Sequence, residues 1–339
     1  MKTITINDVA RAAGVSVSTV SRILNDKPDV SQKTRQRVLE VIEKLGYVPH
    51  AGAQGLAGGK NRSIAVLYPS DFEFSGNEFE FFLGASRAAG KANYLFNLVV
   101  EIIPEPRLLN LFRTNQVSGI VLMEISLHDW RVELLKAHGY PFVMIGHCED
   151  NDGLSYVDLD FEAGVMLACE YLVGLGHRAV ALVNLGGSAR SDSYGPTFRS
   201  VLGYRRACAE YGLTPIIRSI PPSIEAMYQA TDALLIEYPG LTAMVTLQSM
   251  GLPGAFRALA SRGLSVPQDF SILSILVDDT AELMTPPVTS VRIPAYTMGY
   301  RAVQLLIKKL ESPNFRDKQI LLPPELIVRG STAPPPHRG

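Results

Sequence analysis

Short apolar runs that alternate with helical segments restrict the fold of this chain more than any other feature. The runs lie at residues 64–67, 95–100, 119–123, 142–145, 180–183, 243–246 and 271–275. Helical patterns lie between them, for example at residues 79–92 and 164–175. Alternation of this kind predicts α/β architecture, with doubly wound parallel sheets covered by helices on both faces. The length of this body, residues 63–332, predicts two lobes.

The first 49 residues have a different pattern, which predicts three short helices. Thr5, followed three residues later by Asp8, has the form of a capping box, and Gly14 ends the helix that follows. Ser16 and Ser31 occupy N-cap positions for a second and a third helix. Two short helices joined by a tight glycine-containing turn are typical of a helix-turn-helix. We therefore expect a DNA-binding headpiece at residues 1–49.

The second helix of this pair carries the residues expected to contact DNA. An apolar face is expected to form a small core from Val9, Val15, Val20, Ile23 and Leu24. The opposite face would enter the major groove, where Val17 and Ser18 lie nearest the base edges and Arg22 can bind a guanine. Short polar side chains suited to phosphate oxygens are Thr5, Ser16, Thr19, Ser21, Asn25, Ser31 and Thr34. The alternative is that the hydroxyl groups only cap helices and that Arg22 is only a solvated charge.

Charge is distributed unevenly between the head and the body. Residues 1–62 contain ten basic and five acidic side chains, whereas the whole chain has a formal net charge of −1. A basic head on an acidic body is typical of a nucleic-acid module joined to a part that does not touch phosphate.

Several stretches resemble the lactose/galactose repressor family of transcription regulators. The most specific is the run INDVARAAGVSVSTVSR at positions 6–22. Further matching stretches lie at positions 30–35, 45–49, 53–57, 174–177, 202–204, 277–279, 287–292 and 325–332. The resemblance thus covers nearly the whole chain. It implies a repressor that binds a pseudo-palindromic operator in double-stranded DNA as a homodimer, under allosteric control of a small, sugar-like effector.

The resemblance also implies a domain organisation. Residues 50–62 would form a hinge helix, in which Leu56 wedges into the minor groove, although Leu56 alone would be an ordinary linker residue. The N-lobe would comprise about 63–160 and 291–322, and the C-lobe about 161–290 and 323–332, as in periplasmic sugar-binding proteins. A disordered tail would follow at 333–339. The hinge is rich in glycine, at Gly52, Gly55, Gly58 and Gly59, so we expect its ordering to depend strongly on DNA.

The effector would bind between the lobes, at the carboxyl ends of the strands. The residues that the resemblance assigns to this site are Ser70, Asp71, Phe72, Arg199, Gln248 and Asp278. Alternatives stay open: Asp278 could cap a turn, Phe72 could be core, and Arg190 could replace Arg199. The chain also departs from the family at several positions. Gln248 and Ser249 stand where an Asn-Asp pair is common. Ser200 stands where the cleft arginine is usual, and Leu276 stands where a glycine is usual. The effector therefore need not be a typical sugar.

Other classes of protein are less consistent with the sequence. Cys148, Cys169 and Cys208 lack metal-ligand spacing, so no metal, cofactor or disulfide is expected. The body shows no GxGxxG, P-loop or GxSxG motif, and an enzyme is not expected. An extracytoplasmic sugar-binding protein would leave the head unused. The N-terminus has no signal-peptide pattern, so we expect a cytoplasmic protein with no membrane partner.

Overall fold

The computed structural model describes residues 4–24, 29–47, 61–69, 78–187 and 193–336. The chain divides into two compact units, one of residues 1–62 with 111–118 and the other of residues 63–110 with 119–339. We call residues 1–62 the head and the chain from Ser63 onward the body. Among the described residues, no helix is both long and apolar enough to cross a membrane.

The head contains the three predicted helices. They are α1 (Ile6–Ala13), α2 (Val17–Leu24) and α3 (Gln32–Leu45). Val9, Val20 and Ile23 are buried in a shared core, to which α3 contributes Val38. The predicted core residues Val15 and Leu24 pack at its edge and are only partly buried. Gly14 adopts a left-handed conformation (φ 64°) that a β-carbon would strain, and it ends α1 as the sequence predicts.

The first lobe of the body is built on a six-stranded sheet with the order β11-β5-β4-β3-β1-β2. Its strands are β1 (Ser63–Leu67), β2 (Leu95–Val99), β3 (Gly119–Leu122), β4 (Phe142–Ile145), β5 (Tyr156–Leu159) and β11 (Gln319–Leu322). All neighbouring strands are parallel, with Ile64 beside both Phe96 and Gly119. Its helices are α4 (Glu78–Lys91), α5 (Glu105–Arg113), α6 (Trp130–Ala137) and α12 (Ala295–Glu311).

The second lobe is built on a six-stranded sheet with the order β12-β10-β9-β8-β6-β7. Its strands are β6 (Val180–Leu185), β7 (Ile216–Ile220), β8 (Ala243–Thr246), β9 (Ser271–Leu276), β10 (Thr289–Arg292) and β12 (Leu326–Ile327). Only β12 runs antiparallel to its neighbour. Its helices are α7 (Phe161–Gly174), α8 (Gly195–Tyr211), α9 (Ile224–Glu237), α10 (Leu252–Ser261) and α11 (Asp278–Leu283). The predicted fold class, two doubly wound lobes, is confirmed.

Helices α4 and α12 cross at very short range because glycine occupies the contact on both sides. A β-carbon on Gly84 would overlap the carbonyl oxygen of Tyr296, and one on Gly299 would overlap that of Phe81. The two backbones can approach this closely only without side chains at these positions. The pairing fixes α12 against the first lobe.

The chain crosses between the lobes three times, after β5, after β10 and after β11. The crossings lie side by side, since the Asp160 amide donates to the Leu322 carbonyl (3.0 Å) and the Arg292 amide donates to the Glu325 carbonyl (2.9 Å). The predicted return to the first lobe at residue 291 is too early. Strand β10 runs to Arg292 and pairs with β9, so the return follows it.

The predicted disordered tail begins too early as well. Residues 333–336 are described, and the Ala333 carbonyl accepts hydrogen bonds from His177 Nε2 (2.9 Å) and Ser271 Oγ (3.0 Å). The Ala333 amide also donates to Ser271 Oγ (3.0 Å). His177 is buried, and its Nδ1 lies 2.8 Å from Thr242 Oγ1. A buried histidine thus holds the beginning of the tail against the second lobe.

Candidate functional site

The exposed face of α2 contains all three side chains predicted to read bases in this helix. Val17 is 39% exposed, and Ser18 and Arg22 are exposed as well. The opposite face contributes Val20 and Ile23 to the core of the head. The helix therefore presents one polar face with a single apolar group near its N-terminus, which is the arrangement needed for a major-groove contact.

The hydroxyl groups at the starts of the helices form local networks. Ser16 Oγ accepts from the Thr19 amide (3.1 Å) and lies 2.7 Å from Ser18 Oγ. Ser31 Oγ accepts from the Thr34 amide (3.3 Å), and Thr5 Oγ1 donates to Asp8 (2.7 Å). These contacts cap the three helices. A hydroxyl group has one donor and two acceptor sites, so contacts from Thr5, Ser16, Thr19, Ser21, Ser31 and Thr34 to phosphate stay a prediction.

Arg22, near the end of α2, forms an ion pair with Asp29. Its Nη1 lies 3.1 Å from Asp29 Oδ2, with 62% of the arginine side chain and 48% of the aspartate side chain exposed. Such an exposed pair is weak, contributing about 0–1 kcal/mol. It can hold the guanidinium in one orientation and still open when a stronger partner, such as a guanine edge, is available.

Some predicted residues lie outside the described part of the chain. They are Asn25, Leu56, Ser70, Asp71 and Phe72, together with the alternative candidate Arg190. Most of the predicted hinge, residues 50–62, is likewise outside it.

A cavity of about 200 Å³ lies between the two lobes of the body. Its polar wall includes Glu78, Glu124 and Asp158 of the first lobe and Gln248 and Ser249 of the second. The aromatic rings in its wall are Tyr68, Phe81, Phe161 and Tyr194. The remaining wall is largely aliphatic and includes Met123, Ile145, Leu247 and Met298. A mainly apolar space with a few polar groups is typical of a small-molecule site.

The cavity acids are held by specific hydrogen bonds. Tyr68 Oη donates to Glu78 Oε1 (2.9 Å), and Tyr194 Oη donates to Glu124 Oε1 (3.2 Å). Burial, followed by the nearby Glu124 carboxylate, raises the pKa of Tyr194 well above its ordinary value. The tyrosine hydroxyl therefore keeps the proton that it donates. Asp158 Oδ2 lies 2.7 Å from His147 Nδ1 and is almost completely buried.

The two lobes are also joined by a short main-chain ladder between residues 125–127 and 193–195. The Leu127 amide donates to the Ser193 carbonyl (2.9 Å), and the Gly195 amide donates to the Ile125 carbonyl (3.1 Å). The hydrogen bond between the Tyr194 hydroxyl and Glu124 lies next to this ladder, because Glu124 directly precedes residue 125 and Tyr194 is part of the ladder. Contacts between the two lobes therefore close one side of the cavity.

Arg199 has a different position from the one expected of an effector contact. Its Nη2 donates to the carbonyl oxygens of His147 and Cys148, both at 2.9 Å. It does not line the cavity between the lobes. Arg199 therefore joins the second lobe to the first through the protein backbone, and its assignment to the effector site stays a prediction.

Asp278 is likewise engaged by the protein itself. Its Oδ1 lies 2.6 Å from Arg329 Nη2 and its Oδ2 lies 2.5 Å from Arg292 Nε. It is absent from the cavity wall. Two guanidinium groups from other parts of the chain contact both carboxylate oxygens, and the assignment of Asp278 to the effector site stays a prediction.

Gln248 is the predicted effector residue that does lie at the cavity. Its Nε2 donates to the carbonyl oxygens of Asn184 (2.8 Å) and Ile220 (2.9 Å), which fixes the orientation of the amide. Its Oε1 is buried and has no hydrogen-bond partner among the residues that the structure describes. A buried acceptor at a cavity wall is a natural contact for a ligand donor.

The sequence reasoning missed Glu78, Glu124, Asp158 and Tyr194. Glu124 and Asp158 could have been found, because they lie at or just after the ends of β3 and β5, and ligands of parallel sheets bind at carboxyl ends of strands. Glu78 begins α4 and Tyr194 directly precedes α8, and their positions at the cavity depend on the packing of the lobes, so no sequence signal marks them.

Comparisons with known proteins give matches to both the head and the body. Residues 5–50 match the family described as bacterial regulatory proteins, lacI family, and residues 169–332 match the periplasmic binding protein-like domain. Catabolite control protein A of Priestia megaterium is 32% identical over 97% of this chain and 99% of its own. The regulator DegA of Bacillus subtilis is 30% identical over 98% and 99%.

Solved structures show the same similarity. The lac repressor dimer bound to operator and an anti-inducer has 26% identity and a TM-score of 0.84, over 98% of this chain and 100% of the other. The transcriptional regulator CelR in complex with cellobiose has 26% identity and a TM-score of 0.72, over 97% and 99%.

Proposed function

The chain belongs to the LacI family of bacterial regulatory proteins, and from this membership we propose that it represses transcription by binding a pseudo-palindromic operator as a homodimer. It is a sequence-specific DNA-binding transcription regulator whose partners are operator DNA and a small molecule. Relatives of this family are regulators rather than enzymes, and we propose no catalytic activity. We place it in the cytoplasm, where chromosomal DNA lies.

The main support for the proposal is the orientation of α2, which exposes Val17, Ser18 and Arg22 to solvent while its other face is buried in the core of the head. The inserted side chains would distinguish bases, with Val17 against a thymine methyl group and Arg22 on a guanine. The exposed hydroxyls at the helix starts, together with Asn25, would contact phosphate. Leu56 would wedge into the minor groove at the centre of the operator.

Exposed apolar side chains on the body support a homodimer. In the first lobe, Phe79 is 64% exposed and Leu95, on the edge strand β2, is 62% exposed. Leu98 on the same strand and Ile102 after it are also exposed, as is Leu283 on the second lobe. Large apolar groups grouped along a sheet edge are typical of protein interfaces, and the similar lac repressor is a dimer.

The cavity between the lobes supports control by an effector. The bound ligands in similar structures are cellobiose and ribose, so we propose a sugar or related metabolite. Binding in this cavity would change the angle between the lobes and thereby the spacing of the two heads, which couples the two sites through global states. Ser70, Asp71 and Phe72 stay candidates for additional effector contacts.

The proposal is tested by selecting duplexes from a random pool with the full chain and measuring affinity by fluorescence anisotropy at moderate ionic strength. We expect a palindromic consensus and binding at least about a thousandfold tighter than to random duplex. Equal affinity for selected and random duplexes, with and without candidate metabolites, would refute it.

A further inference from the structure

A short segment of the second lobe lies against the first lobe. It comprises residues 193–199, which are the two residues before α8 and the first turn of that helix, and we call it the strap. The Leu127 amide donates to the Ser193 carbonyl (2.9 Å), and the Gly195 amide donates to the Ile125 carbonyl (3.1 Å). The strap thus pairs with the first lobe through the backbone, in antiparallel direction.

Arg199, at the other end of the strap, adds two charge-assisted hydrogen bonds. Its Nη2 donates to the carbonyl oxygens of His147 and Cys148, both at 2.9 Å and both in the loop after β4. Hydrogen bonds from a charged donor are about twice as strong as those between neutral groups. Arg199 should therefore be the strongest single attachment of the strap to the first lobe.

The guanidinium group of Arg199 has room because residue 195 is glycine. A β-carbon on Gly195 would overlap Arg199 Nη1, and it would lie 3.4 Å from the carbonyl oxygens of His147 and Ile125. Nη1 is the far end of a flexible side chain, so a larger residue at position 195 would displace the guanidinium group and leave the helix intact. Gly195 and Arg199 therefore act as one unit.

The strap is also part of the wall of the cavity between the lobes. Tyr194 and Pro196 line this cavity, and the residues on either side of them bind the first lobe. The same seven residues thus enclose the cavity and fasten the lobes together. Release of the strap from the first lobe would open this side of the cavity to solvent.

We propose that the strap is a gate, held shut by Arg199, through which the effector enters and leaves the cavity. The inference goes beyond the proposed function, because it concerns how the cavity exchanges its ligand and not which ligand it binds. Release of the strap breaks the backbone pairing and both hydrogen bonds of Arg199. The fraction of molecules with a released strap then sets the rate of ligand exchange.

Hydrogen exchange of the full chain measures the gate directly, because the Leu127 and Gly195 amides exchange only when the strap is released. Arg199→Ala and Gly195→Ala should each speed this exchange by about tenfold or more, since either change removes the Arg199 contacts. Mass spectrometry of peptides that cover the two amides gives the rates. Exchange within β3 should not change, which distinguishes release of the strap from a general loss of stability.

A double variant tests whether Gly195 acts through Arg199. If it does, the chain with both Gly195→Ala and Arg199→Ala exchanges no faster at these amides than the chain with Arg199→Ala alone. Additive effects would show that Gly195 holds the strap by some other contact.

Matched controls lie on the same pair of helices. Arg206 on α8 pairs with Glu162 of the same lobe, so Arg206→Ala removes a guanidinium group without touching the first lobe. Gly174 on α7 is exposed, and no atom lies within 4 Å of the position that its β-carbon would take. Arg206→Ala and Gly174→Ala should both leave the exchange of the two amides unchanged.

Thiol labelling tests whether the gate admits small molecules. Met123 lines the cavity and is 3% exposed. In a chain with Met123→Cys, peptide mapping follows modification of position 123 by methyl methanethiosulfonate, a small neutral reagent. The rate should rise by about tenfold or more when Arg199→Ala is added, and it should stay unchanged when Arg206→Ala is added.

Three results would overturn the inference: unprotected Leu127 and Gly195 amides in the unmodified chain, the same exchange rates in Arg199→Ala, or labelling of position 123 that does not follow the exchange. Circular dichroism checks that each variant is folded, and the first result needs only the unmodified chain. Duplex binding is measured on the same preparations. Retained operator selectivity with any of these results rejects the gate alone, whereas loss of selectivity in the unmodified chain rejects the proposed function.

Discussion

Replacing Gly84 by alanine should destabilise the body through one identifiable contact. Gly84 is buried on α4, and a β-carbon there would overlap the carbonyl oxygen of Tyr296 on α12 and lie 3.0 Å from the amide nitrogen of Tyr300. Both contacts are with backbone, which cannot rotate away as a side chain can. The helices would have to separate along their crossing.

Two effects of opposite sign determine the magnitude. Overpacking of a well-packed contact costs about 1–3 kcal/mol, and alanine in place of glycine returns at most about 1 kcal/mol of helix propensity. Because the clash is with backbone on a second helix, we expect overpacking to dominate, with a net loss of about 1–2 kcal/mol. For a body of this size the loss corresponds to a fall in Tm of about 2–8 °C.

Gly90 provides a matched control on the same helix. It is exposed, and no atom lies within 4 Å of the position that its β-carbon would take. Gly90→Ala should therefore leave Tm unchanged or raise it slightly, because only the propensity effect remains. Differential scanning calorimetry of the two variants beside the unmodified chain measures the contrast.

Ligand binding provides a second readout, since Phe81 on α4 and Met298 on α12 both line the cavity. Separation of the helices in Gly84→Ala should weaken effector binding, and Gly90→Ala should not. If Gly84→Ala melts at or above the temperature of Gly90→Ala, the crossing is not the tight contact described, and the reasoning is refuted.

Three further predictions concern charged or titratable groups. Arg22→Lys keeps the positive charge on α2 and loses the planar guanidinium group, so the binding free energy for the selected operator should weaken by about 1–3 kcal/mol, with little change for random duplex. Equal losses on both duplexes, measured by fluorescence anisotropy, would make Arg22 a phosphate contact. Asp278→Asn leaves the nearly buried Arg329 guanidinium without its closest carboxylate, so the free energy of unfolding should fall by about 1–3 kcal/mol. Effector affinity measured by calorimetry should stay unchanged, and a selective loss of effector binding would instead support Asp278 as an effector contact. Burial lowers the pKa of His177, so the neutral form is favoured in the folded chain. The stability that neutral His177 contributes is present above about pH 6.5 and is lost as the pH falls below that value. The Tm of His177→Gln should therefore fall less steeply with acidification than the Tm of the unmodified chain, and parallel profiles would contradict this.

The head could be predicted almost completely from the sequence, because its structure is determined locally. Thr5, Gly14, Ser16 and Ser31 begin or end helices through contacts only a few residues away. Strands β5, β7, β10, β11 and β12 were not predicted, because each contains a polar residue or is only two residues long, so none stands out as an apolar run.

The effector site could be predicted only in part, because its geometry depends on distant segments. Asp278 follows an apolar strand, as a ligand-binding acid would, yet Arg329 and Arg292 bind it instead. Arg199 reaches backbone carbonyls 51 and 52 positions earlier in the chain. Neither set of partners can be inferred from local pattern, since the first depends on how β9, β10 and β12 assemble in the second lobe and the other on how the two lobes pack.

The three adjacent crossings between the lobes have a consequence for how the body can be divided. Each lobe is assembled from separate stretches of sequence, and β11 and β12 reach their sheets only after the chain has completed most of the other lobe. A single cut therefore cannot release either half as an intact folding unit. We expect limited proteolysis to yield the whole body or small fragments, and not a stable half.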